Sequence, residues 1–259
     1  MPQNSRVWMG IKMNIEKYGE SKRCRIAKEL FEKTIEQLHL VFLPIPTSRD
    51  GKTINGSDAS LEKILDSCDK KTLIVGYKIP IFIADEILKR GARYLDLNLD
   101  EKFVYENARI SADGALGYIL SSFDAAVSDM KIGIVGYGRI GKRLFSTLSF
   151  LGALPKVYTT SDSTALELSA MGVNVDLTVG GVRDFTGLDL LINTAPTNLS
   201  PSFENGKIPH GMRVLELASG NNFKGVEGVE KLMAIPEIMY PTSGGKIYYE
   251  AILRYLKGV

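Results

Sequence analysis

Ile132-Gly-Ile-Val-Gly136-Tyr-Gly138-Arg-Ile-Gly141-Lys-Arg-Leu-Phe145 is the stretch on which the reading of this chain turns. Strand-forming residues run straight into G-x-G-x-x-G, and helical spacing begins directly behind it. In that order the pattern is the phosphate-binding turn of a dinucleotide-binding βαβ unit. Gly136 makes the tight turn, Gly138 lets the backbone approach a pyrophosphate, and Gly141 lets helix and strand pack closely. Tyr137, Arg139 and Ile140 complete the turn and open the helix whose first amides hold the anion. With 25 glycines in 259 residues, the motif alone is weak evidence. The strand before it, the helix after it and a second β-like run at residues 155–160 supply the context it needs.

About 20 residues past the glycines, such a unit reads the cofactor's 2′ position. There the chain has Val157-Tyr-Thr159-Thr160-Ser161-Asp162-Ser163. A carboxylate at the strand tip would accept from the ribose of NAD and repel a 2′-phosphate; Asp162 falls late for that role. The hydroxyls of Thr159, Thr160 and Ser161 leave room for a phosphate, with Lys142, Arg143 or Lys156 as counter-charge. This favours NADP and leaves NAD open. Leu191-Ile-Asn193-Thr194-Ala195-Pro196 reads as the next strand tip, so Asn193, Thr194, Ala195 and Pro196 are expected beside the nicotinamide half of the crevice. Ser219 and Asn221, at the end of Leu215-Glu-Leu217-Ala218, are expected to line the same crevice.

Composition is that of a globular α/β chain. Hydrophobic residues make up 44% and charged residues 24%, which leaves a core to build and excludes an extended disordered chain. The formal net charge of +2 is spread along the sequence. The one basic block, Ser21-Lys-Arg-Cys-Arg25, reads as a solvated helix face, so no nucleic-acid partner is expected. No apolar run reaches the roughly 18 residues of a membrane span, and no charged-then-apolar leader opens the chain. Cys24 and Cys68 lie far apart, which points to reduced thiols and a cytoplasmic setting. Two histidines and two cysteines, all scattered, exclude a metal site.

Apolar runs alternate with helical spacing, the pattern of a doubly wound, mostly parallel α/β fold. Strands are expected at residues 38–43, 72–75, 94–97, 132–135, 155–159, 189–193, 213–217 and 232–235. Helices are expected at 25–37, 60–67, 81–90, 111–130 (capped by Ser111) and from about 245 to 256. Before residue 25 only residues 6–13 offer a candidate strand. These give an N-terminal α/β lobe at 1–110, a linking helix at 111–130 and a dinucleotide-binding domain at 131–244. A closing helix at 245–259 crosses back towards the first lobe.

Several motifs, taken in order, resemble the A subunit of bacterial dipicolinate synthase. They are the glycine turn at Gly136–Gly141, Ile192-Asn193-Thr194-Ala-Pro196, Leu215-Glu-Leu-Ala218-Ser219 and Leu43-Pro44-Ile-Pro46. Asn107-Ala-Arg-Ile-Ser111-Ala-Asp113-Gly114 is similar to that family's segment ahead of its linking helix. Pro236 and Pro241-Thr-Ser243-Gly-Gly245 resemble its late proline and glycine stretch. The resemblance spans about residues 38–256. It implies a Rossmann-type dinucleotide-binding domain with a smaller α/β lobe, and an NADP-linked oxidation of a dihydrodipicolinate-type dicarboxylate to the aromatic ring. It also implies a bacterial homo-oligomer with a partner subunit of the B type. On the substrate side it points to Asn107 and Ser111 orienting the ring, and to Ser219 and Ser243 binding a carboxylate. Where the family has R-P-G-G after the serine, this chain has Gly220-Asn-Asn-Phe, and Thr242 stands in place of a lysine. Arg49, Arg109 and Lys78 are the cations available instead.

Two other chemistries can be compared with the residues. A D-2-hydroxyacid dehydrogenase needs an arginine after the strand at 189–193 and a late general-acid histidine. No arginine lies in residues 193–200, His39 sits in an apolar strand and His210 in a turn. A shikimate-dehydrogenase-like Lys/Asp pair would fall on Lys78 and Asp96. A binding protein without turnover, serving as a dinucleotide sensor or in assembly, is the alternative to an enzyme.

Overall fold

The computed structural model describes residues 14–17, 21–32, 39–178 and 183–258. Two compact units divide the chain, Met1–Asn107 with Pro236–Val259, and Ala108–Ile235. The first carries β1 (Asn14–Lys17), α1 (Lys22–Glu32), β2 (His39–Phe42), β3 (Thr72–Gly76), α2 (Ile81–Lys89) and β4 (Arg93–Asp96). Helix α3 (Glu101–Ser122) passes from the first unit into the second. There follow β5 (Ile132–Val135), α4 (Arg139–Phe150), β6 (Lys156–Thr159), α5 (Asp162–Ala170) and β7 (Val175–Leu177). Then come β8 (Leu190–Asn193), β9 (Arg213–Glu216) and β10 (Glu230–Lys231), before α6 (Ile235–Ile238) and α7 (Pro241–Lys257).

In the first unit the four parallel strands run in the order β1-β2-β3-β4. The candidate strand at residues 6–13 lies outside the described residues; β1 begins at Asn14. Val41, Leu43 and Ile74 meet Ile83 and Ile87 of α2 in one buried cluster. Helices α1 and α7 approach closely because Gly244 and Gly245 present no side chain to α1. A Cβ on Gly245 would lie 2.7 Å from Cβ of Ile26 and 3.0 Å from the Arg23 carbonyl oxygen. Gly245→Val is therefore expected to cost about 2–3 kcal/mol by overpacking, read from urea unfolding. Thr242→Val, on an exposed position of the same helix, should stay within about 0.5 kcal/mol.

Helix α3 begins ten residues before the expected start at Ser111. Asp100 caps it: its carboxylate accepts the Phe103 amide at 2.9 Å, which satisfies an N–H that a helix start leaves without a partner. Ser111 therefore sits inside the helix. The strand expected at 232–235 is displaced to Glu230–Lys231. Arg213 donates through Nε and Nη2 to the two Glu230 oxygens at 2.7 and 2.6 Å, fixing Glu230 beside β9. Ala234 then adopts φ 54°, which no strand continues. Helix α7 starts earlier than expected because Pro241 suits a first turn, where its missing N–H costs nothing.

The second unit is doubly wound. Its parallel sheet has the order β10-β9-β8-β5-β6-β7. The chain starts at β5, moves outward to β7, then returns to β8 on the other side of β5. The central strands β5 and β8 are buried along their whole length, which is why they read as nearly unbroken apolar runs. Ile132, Ile134, Ile192 and Leu215 pack with Ala115 and Ile119 of α3 and Leu144 and Leu148 of α4. Val135, Leu191 and Val214 pack instead with an aromatic series from the later loops. There Phe185 lies edge-on to Tyr158 at 5.0 Å, and Phe203 follows at 5.7 Å from Phe185.

Candidate functional site

Strand order reverses between β5 and β8, and at such a switch point the carboxyl ends of two neighbouring strands feed loops that turn apart and leave a crevice. A cavity of about 540 Å³ lies there. Val135, Gly136, Tyr137 and Gly138 form its floor; Thr194, Ala195, Pro196 and Thr197 line it from the β8 loop. Tyr158, Thr159, Thr160, Ser161, Thr164 and Arg183 line the rest.

The three glycines are needed for different reasons. Gly136 has φ +90°, and a Cβ there would sit 2.8 Å from Cβ of Ala195. A Cβ on Gly141 would lie 2.2 Å from the Gly136 carbonyl oxygen, so α4 can begin this close to β5 only without one. Gly138 is the opposite case: its φ of −79° is ordinary, and a Cβ there meets nothing within 4 Å. Folding therefore has no steric need for glycine at 138; the need is for open space above the backbone. No side chain caps α4 at Gly138, and no acidic residue occupies its first turn. The helix start thus keeps its positive end for an anion.

Thr194 fixes this turn from across the crevice. Its hydroxyl lies 2.9 Å from the Val135 carbonyl and 3.2 Å from that of Gly136. Tyr137 packs edge-on to Phe145 at 5.7 Å, and burial lifts its phenol above the ordinary tyrosine range, so it stays an O–H donor. Thr159 is buried, and its Oγ1 accepts the Ser161 amide at 3.1 Å. Ser161 caps α5, its Oγ accepting the Thr164 amide at 3.3 Å.

Nine of the residues expected at the cofactor line this cavity: Gly136, Tyr137, Gly138, Thr159, Thr160, Ser161, Thr194, Ala195 and Pro196. Gly141 stands behind it as packing. Arg139 is exposed and Ile140 leans on the core beside α3, neither of them in the lining. Asn193 is fully buried beneath the strand tips. Its Nδ2 donates to Glu216 at 3.0 Å and its Oδ1 accepts the Ala195 amide at 3.1 Å, so the side chain is held away from the cavity. Glu216 accepts twice more, from the Ala218 amide at 2.8 Å and from Asn222 Nδ2 at 3.1 Å. Burial raises its carboxyl above the ordinary glutamate range, against those three donors. Sequence reasoning missed this glutamate and also Arg183.

The substrate-side candidates fall in both units. Asn107 accepts from Arg23 Nη1 at 3.2 Å, next to the partly buried Arg23–Glu237 ion pair at 2.9 Å. Lys78 is exposed with φ 56°, and Asp96 accepts the backbone amides of Lys78 and Ile79 at 2.9 and 3.1 Å, so that pair forms a turn. Ser219 is exposed past β9 in the second unit; Ser243 is exposed in the first turn of α7, in the first unit. Arg109 pairs with Asp113 at 3.1 Å. Among the described residues no cluster of metal-ligating side chains occurs, and no helix is long and apolar enough to cross a membrane.

No family model and no curated protein matches the sequence. Solved structures do match. The A chain of dipicolinate synthase from Bacillus subtilis is 18% identical with a TM-score of 0.73, covering 98% of each chain. Its counterpart from Bacillus halodurans is 16% identical at 0.72, covering 95% of this chain and 99% of that one. The transhydrogenase of Sinorhizobium meliloti is 12% identical at 0.56, covering 95% and 92%. At such identities the likeness is one of fold, and this chain has the α/β fold of the dipicolinate synthase A chains, as a strongly diverged sequence.

Proposed function

We propose that the chain binds a nicotinamide dinucleotide, NADP in preference to NAD, and is an oxidoreductase acting on a dihydrodipicolinate-type carboxylate. One observation carries the binding half. Of the three motif glycines, Gly138 alone has open space where a side chain would be. That space belongs to the cavity, at the uncapped start of α4, where a pyrophosphate would meet backbone amides. The nicotinamide, when bound, supplies a hydride acceptor or donor. The chain's own part is position: α4 holds the anion, Thr194 locks the glycine turn, and Ala195 and Pro196 wall the adjoining crevice. The substrate class rests on the order of motifs along the chain and on the shared fold. Ser219, exposed past β9, is the hydroxyl proposed for a carboxylate.

A second reading, binding without turnover, is favoured by one feature. Among the described residues lining the cavity there is no carboxylate, histidine or lysine to take up a proton. Calorimetric titration with NADP⁺ and then NAD⁺, followed by an assay for NADPH formation from a dihydropyridine dicarboxylate, separates the two. Micromolar binding of NADP⁺ with substrate-dependent NADPH formation is the expected result. Binding without turnover assigns the second reading, and no binding of either dinucleotide overturns both.

A further inference from the structure

We propose that Arg183 reads the adenosine 2′-phosphate of NADP, holding it against the hydroxyls of Thr160 and Ser161 at the end of β6. The inference rests on the dinucleotide reading above and names the group that decides between the two cofactors. A 2′-phosphate needs a cation; Arg139 is exposed and outside the lining, and the three basic residues that the sequence offers for this role are engaged elsewhere. Lys156 pairs with Asp176 at 3.1 Å, Arg143 lies 3.4 Å from Asp113, and Lys142 Nζ sits 5.3 Å from the Tyr137 ring centre. None of the three lines the cavity.

Arg183 does line it, and among the described residues it is the only lysine or arginine that does so. It reaches in from the segment between β7 and β8 and is 5% exposed. Its backbone amide is anchored, donating to Ser202 Oγ at 2.9 Å. Its guanidinium is poorly satisfied: Nη2 reaches the Thr178 carbonyl at 3.5 Å, and Nε is buried without a hydrogen-bond partner. A buried cation in this state is costly unless an anion meets it. The Thr178 hydroxyl and Lys156 take the close contacts of Asp176 and hold its carboxyl below the ordinary range; the guanidinium is near enough to help, but no hydrogen bond joins it to Asp176. Asp162, which would repel a phosphate, is exposed and absent from the lining. A planar guanidinium that lines the same cavity as the hydroxyls of the strand tip suits a phosphate monoester.

The test is calorimetric titration of wild type, Arg183→Met, Arg183→Lys and Thr160→Asp with NADP⁺, NAD⁺, 2′,5′-ADP and 5′-ADP. Wild type should prefer NADP⁺ and 2′,5′-ADP over their unphosphorylated counterparts. Arg183→Met should weaken those two by roughly 10–100-fold, the size of lost charge-assisted hydrogen bonds, and leave NAD⁺ and 5′-ADP within about twofold. Arg183→Lys should recover part of the loss. Thr160 is exposed, so Thr160→Asp keeps the test open if the arginine variants fail to fold. Its new carboxylate should repel the 2′-phosphate, so NADP⁺ and 2′,5′-ADP weaken relative to NAD⁺ and 5′-ADP. Equal loss for both dinucleotides in Arg183→Met, or wild-type binding of NAD⁺ at least as tight as NADP⁺, overturns the assignment and leaves the dinucleotide site standing. Absence of binding by either dinucleotide overturns the site itself.

Discussion

Gly138→Val is expected to lose dinucleotide binding by at least about 100-fold while unfolding close to wild type; Gly141→Ala should lose stability first. The separation follows from what each missing Cβ would touch. At Gly138 the added atoms enter open space above a backbone whose φ and ψ any residue adopts. Valine there occupies the place of a phosphate, and an anion held by helix amides loses both its contacts and its approach. The folded chain gains no clash, so its thermal midpoint should move little. At Gly141 the new atom meets the Gly136 carbonyl oxygen at 2.2 Å. Alanine's better helix propensity returns only about 1 kcal/mol, less than the overpacking cost of moving a backbone turn. A net loss of about 1–2 kcal/mol lowers the midpoint by roughly 2–8 °C. Paired thermal scans and titrations of the two variants check this. Intact binding in Gly138→Val would place the dinucleotide elsewhere, and unfolding of that variant would show that the fold does need the glycine.

Much of the second unit was legible because its signals are local. The order strand, glycine turn, helix at residues 132–145 states the local geometry, and the apolar run at β8 is that of a strand covered on both faces. The first unit was legible from β2 onward for the same reason. The missed features rest on a cap that the apolar stripe does not mark or on contacts distant in sequence. Helix α3 begins at Asp100 through a carboxylate cap that its apolar stripe does not mark. Strand β10 is only two residues long and is fixed by Arg213, which lies 17 positions away from Glu230. Arg183 stands in a polar segment with no periodicity, and nothing local separates it from a solvated arginine. Only its place beside the cavity gives it a role. Glu216 misleads in a different way. In Leu215-Glu-Leu217 it resembles the outward residue of a half-exposed strand. In a parallel sheet with both faces covered, alternation carries no such meaning, and the glutamate is 2% exposed.

Glu216→Ala should therefore be among the most destabilising single changes in the second unit. The side chain ties β9 to both crevice loops: it accepts from Asn193 at the tip of β8, and from Ala218 and Asn222 beyond β9. Removing it leaves three buried donors without that acceptor. Each such donor costs about 1–3 kcal/mol when nothing replaces its partner; relief of the buried charge offsets part of this, so the net loss is about 2–4 kcal/mol. Because Asn193 also holds the Ala195 amide, the loop lining the cavity should loosen, and dinucleotide affinity should fall in step with stability. Glu216→Gln separates charge from shape. Burial raises the carboxyl in the folded chain, so the folded state binds a proton at a pH where the unfolded chain has released it. That contribution is full below the ordinary glutamate value and is lost as pH rises through the raised one. The glutamine variant has no such loss. Its stability relative to wild type should therefore rise with pH across the range just above the ordinary glutamate value and level off beyond the raised one. Denaturant unfolding of both chains at a series of pH values reads that difference directly. A difference that stays flat would mean the carboxyl titrates as it does in the unfolded chain, and one that falls with pH would mean the three donors outweigh burial and favour the charged form.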